Sequence, residues 1–233
     1  MPDRRSIVLL PGLVSDSAIW AAQADALRRD YDVIAIPDFN GHRSLDTMAD
    51  AVLAAAPDRF ALAGHSMGAR VALAAYAKAP ERVTHLALLD VNVTPADPGE
   101  AARRRVLLDT IALEGMAGLA RAGLPFLLHP SRLDDGALAD TLTAMIGRAT
   151  PEIYTAQAAA MLARPDMRPL LPKIACPTLV LCGDDDRLCR PDAHRRIAAA
   201  IAGARLVVIP ECGHLTTLEK PEAVTAALQE WLE

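Results

Sequence analysis

Six short aliphatic runs, separated by stretches long enough to hold a helix, constrain this chain more than any other feature. Ser6–Leu10 (SIVLL) stops at Pro11-Gly12, and residues 32–36 (DVIAI) stop at Pro37. Residues 60–63, 84–89 (THLALL), 178–181 (TLVL) and Arg205–Ile209 complete the set. Runs this short, bounded by turn residues, predict buried strands. Apolar residues at helical spacing fill the gaps: 18–29, Leu45–Ala55 behind a capping Ser44, 67–79 up to Pro80, 191–202, and 221–232. Strands alternating with amphipathic helices predict a doubly wound, mostly parallel sheet covered on both faces.

The alternation breaks after the fourth run. From 91 to 175 no strand is predicted. Ala/Leu/Arg-rich stretches there are cut by Pro95, Pro98, Pro125, Pro130, Pro151, Pro165, Pro169 and Pro172. This predicts a helical cap over 91–175, inserted into an α/β core made of 1–90 and 176–233.

Composition narrows the function. Just over half of the 233 residues are apolar and only 3% are aromatic, so a pocket built here is aliphatic. The net charge of −5 offers no basic face for nucleic acid. Arg70 and the run Arg103-Arg104-Arg105 are expected to be solvated. The N-terminus lacks signal-peptide architecture and no apolar stretch has transmembrane length, which predicts a cytoplasmic enzyme with no membrane partner. Cys176, Cys182, Cys189 and Cys212 match no zinc spacing and are too sparse for a disulfide scaffold; mostly buried, reduced thiols are expected. Oligomeric state is not readable.

The chemistry concentrates in Gly64-His65-Ser66-Met67-Gly68, a G-x-S-x-G between a predicted strand and a predicted helix. A serine on so tight a turn projects its hydroxyl from the sheet edge. It needs a base. Of six histidines, His214 in Cys212-Gly213-His214 follows the last strand and opens on the same edge; His42, in the loop after the second strand, is its rival. Gly183-Asp184-Asp185-Asp186 supplies a carboxylate to orient the base, and the order Ser…Asp…His fits this arrangement. Asp90, ending the fourth strand, is an alternative acid. The three adjacent carboxylates are not read as a metal site, because one loop supplies them all and no histidine has ligand spacing. The oxyanion of an acyl-transfer intermediate needs N–H donors. Met67 supplies one, and the turn after the first strand, through Leu13, supplies the other. Leu124, Phe126, Met145 and Met161 in the cap are candidates to line the substrate pocket.

These residues, within LLPGLVSDSAIW, PDFNGHRS, GHSMGARVAL, PERVTHLALLD, GDDDRLCRP and CGHLTTLEKPE, resemble the α/β-hydrolase fold superfamily. More narrowly, they are similar to its compact, cap-bearing esterase, haloperoxidase-like and C–C hydrolase group. The resemblance matches Ser66 to the nucleophile, Asp186 to the acid, His214 to the base, and Leu13 and Met67 to the oxyanion donors. It places His42 in a structural D-x-x-G-H loop. It implies a cofactor-free serine hydrolase that takes a small-molecule ester, lactone or thioester through an acyl-enzyme. A C–C hydrolase, or a lyase of the menaquinone-pathway type acting on an anionic substrate, is the alternative. A non-catalytic small-molecule receptor is a third reading, which a complete triad disfavours. Pro11 and Arg43 replace glycine or histidine positions usual in the group.

Overall fold

The computed structural model describes residues 4–233; Met1 to Asp3, which begin the charged N-terminus, lie outside the described residues. The six aliphatic runs form β1 (Ser6–Leu10), β2 (Asp32–Ala35), β3 (Phe60–His65), β4 (Val83–Leu89), β5 (Thr178–Gly183) and β6 (Arg205–Ile209). They make one parallel sheet in the order β2-β1-β3-β4-β5-β6. The helices are α1 (Ala21–Leu27), α2 (Leu45–Ala55), α3 (Met67–Lys78), α4 (Glu100–Leu127), α5 (Gly136–Gly147), α6 (Pro151–Leu162), α7 (Pro191–Ala200), α8 (Thr216–Glu219) and α9 (Pro221–Trp231).

Alternate residues of each strand feed opposite faces. Val8, Leu10, Leu62, Leu86, Leu88 and Val180 pack with α2 and α3 in one cluster. Ile7, Leu9, Ala63, Leu89, Leu179 and Leu181 pack with Trp20, Leu228 and Trp231 in another. Burial on both faces explains why the central strands read as unbroken aliphatic runs rather than alternating ones; β2 and β6, expected to be buried too, are the sheet edges and only half-buried.

The segment between β4 and β5 carries α4, α5 and α6, with no strand among its residues, in keeping with a helical cap. Its longest helix departs from expectation. Pro125 does not end α4 but sits in its last turn; the break is at Gly115, with φ 68° and ψ −169°. Only glycine takes that conformation without a Cβ clash. At the other end of the chain, the helix expected over 18–29 begins as a 3-10 turn, Ser17–Trp20, because Asp16 captures the Ala18 N–H. Among the described residues no helix is long and apolar enough to cross a membrane. All four cysteines are free, with Cys182 and Cys212 buried and Cys176 and Cys189 half-buried.

Arg70 corrects the sequence expectation, being 1% exposed. It lies on α3 and donates to the Thr94 and Pro165 carbonyls at the junction of core and cap. Burial first, then the Arg164 charge, push its guanidinium down to about 9. Arg164, at the end of α6, makes a two-pronged pair with Glu100 at 2.6 Å on both oxygens, and Arg104 adds a third contact at 2.8 Å. Arg103 and Arg105 are exposed, as expected. Because the pair is buried, removing Arg164 leaves Glu100 with Arg104 as its remaining cation and frees the Thr94 and Met161 carbonyls that Arg164 holds. Arg164→Leu is therefore expected to cost about 3 kcal/mol, the low end for breaking a buried pair, seen as a fall of roughly 10 °C in Tm by calorimetry. An unchanged Tm would show that this network does not hold the cap.

Candidate active site

The site lies where the chain order reverses. The chain runs from β1 to β2 on one side of the sheet, then returns to β3 on the other, and open α/β sheets hold ligands beyond the strand ends at such a point. The β1–β3 register pairs Leu10 with Gly64, so Pro11-Gly12 lies alongside His65-Ser66. Ser66 follows β3 directly and caps α3 with φ 54° and ψ −114°, a strained conformation for a residue with a side chain. Its N–H is held by the Leu89 carbonyl at 2.9 Å. The turn is tight enough that a Cβ on Gly64 would lie 2.4 Å from the Gly68 backbone. This is why glycine flanks the serine.

Asp186 and His214 reach the same edge from neighbouring strands. Asp186 lies three residues past the end of β5, and His214 follows β6 after a turn in which Glu211 takes φ 51°. The two loops touch so closely that a Cβ on Gly183 would come within 2.2 Å of the Cys212 and Gly213 carbonyls. His214 Nε2 is 2.9 Å from Ser66 Oγ, and its Nδ1 is 2.9 Å from Asp186 Oδ2. The other Asp186 oxygen accepts the Leu188 and Cys189 N–H groups at 2.9 and 2.7 Å. An ionised Asp186 can only accept, so Nδ1 carries the proton and Nε2 is free to take one from Ser66. Burial alone would lower the His214 pKa, but the charge and hydrogen bond of Asp186 outweigh it and leave it raised. Burial likewise opposes ionisation of Asp186, and His214 overcomes it, leaving the carboxyl below its ordinary value.

The remaining candidates have other partners. Asp90, the alternative acid, is buried and bonded to Thr216 Oγ1 at 2.6 Å, with His65 Nε2 at 3.4 Å; it does not reach the His214 ring. His65 turns away from the serine and donates to the His214 backbone carbonyl at 2.8 Å. His42 sits in the loop after β2, and no hydrogen bond joins its ring to Ser66. Asp184 accepts the Cys212 N–H, and Asp185 pairs with Arg187 near the surface. Among the described residues, the one group with metal-ligand types close together is Asp186, Cys189 and His214. Asp186 and His214 are already bonded to each other there.

Two contributors were not singled out from the sequence. Buried Glu219 accepts the Gly213 N–H at 2.9 Å and the His129 N–H at 2.8 Å, pinning the base loop to the exit of α4. Gln157, a lone amide in the Ala-rich run of α6, accepts the Val14 N–H at 2.7 Å. Its one sequence signal is a polar side chain on an otherwise apolar helix face.

The Leu13 and Met67 N–H groups have no hydrogen-bond acceptor among the described residues. Met67 opens α3, where helix N–H groups are unpaired and the dipole favours negative charge. The four cap residues considered for the pocket are scattered. Met145 is packed with Leu138 and Leu142, and Leu124 lies against the same cluster, whereas Met161 lies against the opposite one. Phe126 is 57% exposed: Leu124 and Leu127 take the inward face of the last turn of α4 and leave it outside. Clefts of about 320 and 430 Å³ lie beside Arg43 and α6 and beside Arg5 and Tyr31; neither borders Ser66.

Known proteins are similar to this chain over most of their length. Residues 7–227 match the Alpha/beta hydrolase family. A thermophilic esterase from Thermogutta terrifontis is 33% identical with a TM-score of 0.89, covering 98% of this chain and 89% of that one. The enol-lactonase of Burkholderia xenovorans LB400 is 27% identical with a TM-score of 0.89, over 99% of this chain and 92% of its own. RutD of Klebsiella pneumoniae subsp. pneumoniae, a carbamate hydrolase by name, is 29% identical over 255 residues, 99% of this chain and 92% of RutD. With the parallel sheet, the cap after β4 and the serine elbow all in place, the chain belongs to the alpha/beta hydrolase family.

Proposed function

We propose that this protein cleaves a small carboxylic ester, or a related lactone or thioester, through an acyl-enzyme on Ser66. The observation that carries the reading is the unbroken hydrogen-bonded chain from Ser66 Oγ through His214 to Asp186, 2.9 Å at each step, on a strained turn. Ser66 attacks the acyl carbon as its proton passes to His214 Nε2. The oxyanion rests on the Leu13 and Met67 N–H groups. His214 then protonates the leaving alcohol, and water repeats the sequence on the acyl-enzyme. Asp186 holds the tautomer and stabilises the imidazolium. No step needs a cofactor.

The names of the relatives support carbonyl chemistry: esterase, enol-lactonase and carbamate hydrolase all describe attack at an acyl carbon. The C–C hydrolase or lyase reading asks for arginines free to hold an anionic substrate. Arg70, Arg104 and Arg164 give it no support, being engaged with Glu100 and backbone carbonyls.

The test is p-nitrophenyl acetate, butyrate and octanoate, followed by a fluorophosphonate and peptide mass mapping. Turnover with a pre-steady-state burst is expected, together with one phosphonate per chain on the peptide holding Ser66. No turnover of any of the three esters and no adduct would sink the reading.

A further inference from the structure

The turn that offers the Leu13 N–H is not self-sufficient. It closes through the Ser15 N–H donating to the Gly12 carbonyl at 3.3 Å. That carbonyl belongs to the same peptide plane as the Leu13 N–H, and the two point in opposite directions in a trans peptide. So the bond that closes the turn also aims the Leu13 donor outward. The closure requires Val14 at φ 47°, in the left-handed region where a β-branched residue is a marked outlier. Within the turn only two long bonds work against that strain, the Ser15–Gly12 bond and the Ser15 hydroxyl donating to the Leu13 carbonyl at 3.4 Å. The support comes from the cap. Gln157 Oε1 accepts the Val14 N–H at 2.7 Å, and the Val14 side chain packs among Ile111, Met116, Leu119, Ile146 and Tyr154. Gln157 itself is 1% exposed, so no water competes freely for the bond.

We propose that Gln157 of α6 is a positioning residue for the oxyanion-binding turn: by holding Val14 in its left-handed conformation, it keeps the Leu13 N–H aimed at the Ser66 adduct. The inference rests on the acyl-enzyme reading above. It makes the cap part of the catalytic geometry. Without the clamp, Val14 relaxes to negative φ, the Ser15–Gly12 bond opens, and the Gly12–Leu13 plane rotates. The oxyanion then loses one donor while the ground-state ester is bound as before.

Three variants and two kinds of readout decide this. Gln157→Met keeps the side-chain length and removes the acceptor; Gln157→Glu restores an acceptor; Gln157→Ala removes both length and acceptor. For p-nitrophenyl butyrate, Gln157→Met is expected to lose up to about a hundred-fold in kcat, with KM little changed. Butylboronic acid, which needs both Ser66 and the oxyanion donors, should weaken by a similar factor. Gln157→Glu should recover most of the loss, and Gln157→Ala should not. Independently of turnover, hydrogen exchange read on the peptide spanning 12–15 should quicken in Gln157→Met and Gln157→Ala but not in Gln157→Glu. Wild-type kcat in Gln157→Met, or a loss carried wholly by KM with boronate affinity unchanged, would overturn the proposal. So would unchanged exchange at 12–15, whatever the Tm. If the wild type itself turns over no ester and takes no phosphonate, the functional reading fails, and the exchange result still decides whether the clamp exists.

Discussion

Ser66→Ala is expected to lower kcat for p-nitrophenyl butyrate by about a million-fold, as loss of a nucleophile does in a serine hydrolase of similar logic. The magnitude follows from the geometry. Ser66 alone links the acyl carbon to His214, whose Nε2 lies 2.9 Å from its oxygen. Among the described residues no other hydroxyl is hydrogen-bonded to that nitrogen. What survives should come from the oxyanion donors and substrate binding, roughly 10³–10⁴-fold over water. KM should change little, because the hydroxyl adds almost nothing to ground-state affinity. The alanine also relieves none of the strain at φ 54°, so Tm should stay near wild type. Equal turnover by wild type and variant would remove Ser66 as nucleophile, and with it the reading of this site.

Asp186→Asn should lose about 10⁴-fold in kcat while leaving the fold intact. Asp186 spends one oxygen on the Leu188 and Cys189 N–H groups and the other on His214 Nδ1. An asparagine would keep its carbonyl on the two backbone donors and present its NH₂ to Nδ1. The ring must then carry its proton on Nε2, which can no longer accept from Ser66. The pH profile adds a second signature. The raised pKa of His214 is due to Asp186, against the pull of burial. Only the neutral ring acts as a base, so wild-type kcat/KM should rise with pH through a value above the ordinary 6.5 of imidazole. Without the carboxylate, burial dominates, and the acidic limb should move to lower pH on a much reduced plateau. If Asp90→Asn gave these effects and Asp186→Asn did not, the acid would be wrongly assigned.

Much of this was legible beforehand because the signals are local. A strand buried on both faces must be aliphatic along its length, so β1, β5 and most of β4 could be read almost to their ends. Gly64-His65-Ser66-Met67-Gly68 encodes the elbow, because the turn tolerates no Cβ on Gly64. Strand order then brings loops far apart in sequence to one edge, which placed the Asp184–Asp186 loop and His214 together there while Asp90 stayed open as the acid.

The cap was much less legible, since its residues answer to partners distant in sequence. Arg70 looked like a surface arginine; it is buried because Thr94, Pro165 and Arg164 surround it. Phe126 looked like a pocket residue, and which face of α4 turns inward depends on contacts outside that helix. The kink at Gly115, rather than at Pro125, is likewise a matter of packing.

By itself, then, the sequence determined the parallel sheet, the place of the cap in the chain, and the strand-end loops that carry the serine, the histidine and the candidate carboxylates. Periodicity, glycine sterics and residue chemistry act over a few neighbours and survive in the one-dimensional pattern. Only the tertiary structure decided which carboxylate meets the histidine, that Glu219 pins the base loop, and that Gln157 holds Val14. Those outcomes depend on hydrogen bonds that close across 28, 90 and 143 residues, where a distance of a few tenths of an ångström separates a partner from a neighbour.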